Sequence, residues 1–72
     1  MEYELVREIP NLCRNNQMRD VFFQEIETDD PVAYVQQLLG DPTLTVDRKN
    51  DGTVTVFAVI DGMSQKFIFT PI

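Results

Sequence analysis

The first nine residues, MEYELVREI, alternate. Tyr3, Leu5 and Ile9 fall on one side of an extended chain and Glu2, Glu4 and Glu8 on the other. This is the period-two pattern of a half-buried strand, and Pro10 stops it. Residues 11–19 lose the alternation; they are polar and rich in asparagine, and they read as a loop or one helical turn. The stretch DVFFQEIET is rich in β-formers, with Phe22 and Ile26 on one face and Val21 and Phe23 on the other. A helix from Gln17 to Glu27, using Met18, Val21, Phe22 and Ile26, competes with a strand here. The β-forming content favours the strand.

The pattern then changes period. In TDDPVAYVQQLLGDP, Asp30 is placed to cap a helix, Pro31 suits its first position, and Gly40 followed by Pro42 ends it. Val35, Leu38 and Leu39, with Val32 or Tyr34, form the expected buried stripe. So short a helix persists only if it packs on a sheet.

The remaining residues read as a three-stranded meander. TLTVDRK and TVTVFAVI flank Asn50-Asp51-Gly52, and a two-residue turn at Asp51-Gly52 predicts Val46 opposite Phe57 and Leu44 opposite Val59. A second turn around Asp61-Gly62-Met63 leads into QKFIFTPI. Its length is ambiguous, and one residue more or less moves Phe67 and Phe69 to the other face. The expectation is a single α+β domain over residues 1–72. It is mainly an antiparallel sheet of four to five strands with one short helix on a face, in the order β-(β)-α-β-β-β.

The strand over residues 53–60 carries Val54, Val56, Ala58 and Ile60 on one face and Phe57 and Val59 on the other. Both faces therefore want cover, and one helix covers one face. This predicts an interface involving Val54, Val56 and Phe57, with a protein partner or a second copy in a homodimer.

Composition narrows the function classes. The chain holds one cysteine and no histidine, which excludes an internal disulfide, a Cys-rich zinc framework, and Ser-His-Asp or Cys-His catalysis. The start is acidic rather than signal-like and no apolar run is long enough to span a bilayer, so a cytoplasmic protein without a membrane role is expected. The net charge is −6, and between Asp20 and Asp47 there is no lysine or arginine. That balance repels phosphate backbones, so nucleic acid is not an expected partner. The three glycines are all used as turn punctuation, leaving no phosphate cradle. No cofactor is expected, and the sequence names no small-molecule ligand.

Two clusters carry candidate chemistry. Glu25 and Glu27 would project from one face of a strand, where carboxylates can hold a divalent cation or simply face water. The segment CRNNQMR places Cys13 six residues before Arg19, with Arg14 between them. This C-x5-R spacing resembles the signature of protein tyrosine phosphatases and the related arsenate reductases. The resemblance covers seven residues and implies Cys13 as nucleophile and Arg19 as oxyanion holder, with Asp30 or Asp41 as general acid. The loop lacks the glycines of those families, and their parallel α/β sheet differs from the antiparallel pattern here. Two functions follow: a non-catalytic protein-interaction or accessory module, and a small thiol-dependent enzyme or anion-binding protein using Cys13, Arg14 and Arg19. The absence of a catalytic constellation favours the first.

Overall fold

The computed structural model describes residues 1–10, 19–60 and 62–72, with the backbone alone at Pro10 and Arg19. Five strands and one helix follow in the order β1 (Glu2–Pro10), β2 (Arg19–Glu27), α1 (Pro31–Leu39), β3 (Thr43–Arg48), β4 (Val54–Ile60) and β5 (Met63–Pro71). The strands form one antiparallel sheet in the spatial order β2-β1-β5-β4-β3. Two locally connected pieces, the β1–β2 pair and the β3–β4–β5 meander, thus meet along β1 and β5. The segment 19–27 is a strand, and the competing helix does not form.

α1 packs on the face of the sheet that carries Tyr3, Leu5, Val54, Val56, Ala58, Phe67 and Phe69, and Val35 completes this buried cluster. Phe69 is its hub. Tyr3 and Tyr34 each make a T-shaped contact with it at 6.0 Å between centroids, so one side chain ties β1, β5 and α1 together. Of the expected helix stripe Val35 is buried and Leu39, Val32 and Tyr34 are half-buried, whereas Leu38 is exposed and Pro31 is buried in addition.

Asp30 caps α1 as expected. Its backbone is extended, and Oδ1 accepts the backbone N–H groups of Val32 and Ala33 at 3.1 and 3.3 Å. At the other end Gly40 turns left-handed at φ 68° and donates its N–H to Gln36. Asp30→Ala is expected to destabilise the domain by about 1 kcal/mol. Urea unfolding followed by circular dichroism measures it, and an unchanged midpoint would mean that the cap contributes nothing.

The β3–β4 hairpin corrects the expected register. Lys49 and Thr53 close the loop through a 2.9 Å backbone bond, so Asn50, Asp51 and Gly52 all belong to it. Leu44 therefore faces Ala58 and Val46 faces Val56, one residue away from the two-residue-turn pairing with Val59 and Phe57. Gly52 sits at φ 93°, and a Cβ there would lie 3.0 Å from Pro71 Cγ. Only glycine suits both the backbone angle and the close approach. Asp51 Oδ1 accepts the Thr53 N–H at 2.9 Å, and the Thr53 backbone and hydroxyl hold this exposed carboxyl below its ordinary value of 3.8. The second hairpin pairs Ile60 with Met63, which directs Phe67 and Phe69 onto the helix-covered face.

Arg7 interrupts the apolar side of β1. Its guanidinium lies 5.2 Å from the Phe67 ring centroid and donates from Nη2 to Gln65 Oε1 at 3.0 Å. Among the described residues Nε has no hydrogen-bond partner. The guanidinium lies over the Phe67 ring, and such a contact lets a cation occupy a core-facing position.

Candidate docking surface

Among the described residues no helix lies on the opposite face of the sheet. Paired residues of an antiparallel sheet share a face, so the registers place Val21, Phe23, Glu25 and Glu27 of β2 with Glu2, Glu4, Val6 and Glu8 of β1. Lys66, Ile68 and Thr70 of β5 continue it, and Thr55, Phe57 and Val59 of β4 follow. Phe23 is 73% exposed, and Val21, Phe57 and Val59 are each about two fifths exposed (45%, 39% and 42%). Val6 and Ile68 lie half-buried between them. Among the described residues no element covers this apolar strip.

Two electrostatic features frame the strip. Near its middle Lys66 Nζ lies 3.7 Å from Glu8 Oε2 and 5.8 Å from the Phe57 ring centroid. Both side chains are partly exposed, so the pair fixes orientation more than it adds stability. At one end Glu2 is directly opposite Glu27, and Glu4 is directly opposite Glu25. Like charges in facing positions repel, typically by a few tenths to about 1 kcal/mol. Glu4→Lys is therefore expected to stabilise the domain by about 0.5–1 kcal/mol at low salt, with a smaller gain at 1 M salt. Urea midpoints at the two salt concentrations check this; an unchanged or lower midpoint at low salt would contradict the repulsion.

The sequence-predicted residues separate cleanly. Glu25 and Glu27 are exposed at the acidic end of this face, beside a pocket of about 240 Å³ lined by Glu2, Glu25, Ile26 and Glu27. Among the described residues no group of three or more acidic, His or Cys side chains is gathered to hold a metal ion. Cys13 and Arg14 lie outside the described residues, as does the side chain of Arg19, whose backbone begins β2. Val54 and Val56, expected at an interface, are buried on the face that packs against the chain's own helix, at 6% and 0% exposure. Phe57 alone of that trio reaches the open face. Val6, Phe23 and Ile68 did not figure among the candidates. The available signal was an apolar residue at a position where alternation calls for a polar one, and in β1 Val6 stands between Glu4 and Glu8 on the glutamate side.

Among the described residues no helix is long and apolar enough to cross a membrane. No family model, curated protein or solved structure matches this chain.

Proposed function

We propose that this domain is a non-catalytic interaction module whose open sheet face docks another protein, in a reducing, cytoplasmic setting. The observation that carries this reading is the uncovered strip of Val6, Val21, Phe23, Phe57, Val59 and Ile68. Contiguous apolar surface of this kind is rare on proteins that work alone, and an aromatic anchor at each end suits a binding hot spot. The Lys66–Glu8 pair and the glutamates at one end supply polar specificity around it.

The test places a photo-reactive phenylalanine analogue at position 23 or 57 in cells that make the protein. Adducts are expected from both positions and not from Gln37, which is exposed on α1. Adducts from Gln37 but not from the sheet face would overturn the reading. The thiol-dependent alternative with Cys13, Arg14 and Arg19 makes a different forecast. It requires a Cys13 pKa below roughly 7 and loss of any detected activity in Arg19→Lys, because lysine lacks the planar two-pronged donor.

A further inference from the structure

We propose that the outer edge of β2 pairs with the same edge of a second copy of this chain, antiparallel, with Phe22 facing Phe22 across the two-fold axis. The inference concerns the rim of the sheet, and it stands whether or not the open face takes another protein.

β2 is an edge strand, bonded only to β1 among the described residues. Its register with β1 runs unbroken from Glu2 opposite Glu27 to Pro10 opposite Arg19, with no bulge to twist the edge away. It contains no proline and no lysine. Natural edges are ordinarily blunted by such devices. Here Val21, Phe22 and Phe23 follow one another, all exposed, so apolar side chains project on both sides of a free rim. The other edge, β3, is shorter; its two apolar residues, Leu44 and Val46, both lie on the helix-covered face.

The hydrogen-bonding phase identifies which groups are free. Thr28 donates its N–H to the Met1 carbonyl, so the even-numbered residues of β2 point their backbone groups inward to β1. The N–H and C=O groups of Val21, Phe23 and Glu25 therefore point outward. A second β2 strand can bond to them only if odd residues face odd residues.

Side-chain chemistry selects among the allowed registers. With Phe22 on the axis, Val21 faces Phe23 of the second copy, Asp20 faces Gln24, and Arg19 faces Glu25. Between positions 19 and 25 each apolar residue meets an apolar one, and position 25, already set against Glu4, falls opposite position 19, an arginine rather than another acid. With Phe23 on the axis, Val21 would face Glu25 and Phe22 would face Gln24. With Gln24 there, Phe23 would face Glu25 and Val21 would face Glu27. Placing Val21 there would set Phe23 against Arg19, and placing Glu25 there would set two glutamates together. The strand is self-complementary about Phe22 alone. Such a two-fold axis runs perpendicular to the sheet, so both helices lie on one side and the two open faces become continuous.

The test uses the full chain with Cys13→Ser as background. Phe22→Cys is expected to form a disulfide-linked dimer under mild oxidation, because facing residues at a non-bonded pair lie within disulfide reach. Gln24→Cys, on the same face, should cross-link at least tenfold more slowly, since its twin lies four residues away along the ladder. In sedimentation experiments the unmodified chain should dimerise at high micromolar concentration, and Val21→Lys should raise the dimer Kd at least tenfold. Phe57→Glu, on the open face and away from the β2 rim, should leave the dimer intact. A monomer at that concentration, equal cross-linking at Phe22 and Gln24, or loss of association in Phe57→Glu with none in Val21→Lys would each overturn the proposal.

Discussion

Phe69→Ala is expected to cost about 3–5 kcal/mol, the range for removing a fully buried phenylalanine. The side chain has no exposed surface, and its ring makes T-shaped contacts with both Tyr3 and Tyr34. Truncation therefore leaves a cavity at the point where β1, β5 and α1 meet, and two aromatic pairs are lost with it. Domains are stable by roughly 0.05–0.15 kcal/mol per residue, or about 4–11 kcal/mol for a chain of 72. The variant should be partly or largely unfolded at 37 °C. Urea unfolding measures the loss, and a decrease under 1 kcal/mol would mean that the Tyr3–Phe69–Tyr34 cluster is not the keystone of the core.

Neighbouring residues of β4 should respond in opposite ways to the same charge. Val56→Asp places a carboxylate at a site with 0% exposure against Val35 and Phe67. An unpaired buried charge costs several kcal/mol, enough to unfold a domain of this size. Phe57→Asp, one residue on, points from the open face and should change stability by less than about 1 kcal/mol. It also lies within reach of Lys66. Circular dichroism of the two variants at 25 °C checks the contrast; a folded Val56→Asp or an unfolded Phe57→Asp would mean that the helix covers the other face.

That contrast marks where the sequence was informative and where it was silent. The alternation in β1, the Asp30-Pro31 start and Gly40 stop of α1, and the meander were all legible, because each is set by residues close in the chain. β4 was harder. It is apolar on both sides, so its own pattern could not say which face the helix would take. The decision came from β5, where the Ile60–Met63 pairing carries Phe67 and Phe69 onto the Val54–Val56 side. The Asp-Gly signal located the first hairpin but gave its loop one residue too few, because Asp51 bonds forward to Thr53 and draws Asn50 into the turn. Nothing in the alternation of β1 accounts for Arg7 on the inner side; its contact with the Phe67 ring does. The rim of β2 was visible as a run of apolar residues, but its identity as a rim depends on long-range strand order.

The strand order also sets the timetable of folding. The meander and the β1–β2 pair can each form from neighbouring residues, but the sheet is whole only when Leu5 meets Phe69 and Val6 meets Ile68. Loop closure over that separation has to precede its reward, so the seam between the two pieces is expected to be made last. A core-weakening Leu5→Val should then accelerate unfolding and leave the refolding rate nearly unchanged, whereas Val54→Ala in the meander should slow refolding. Stopped-flow chevrons separate the two; a slowed refolding limb for Leu5→Val would place the seam in the nucleus. On the ribosome the order has a further effect. β5 is made after the other four strands, so the side of β1 that will receive it stays unpaired until β5 has emerged. A nascent chain would carry, besides the sheet's outer edges, a transient open edge on β1, and chaperone binding should be strongest in that interval.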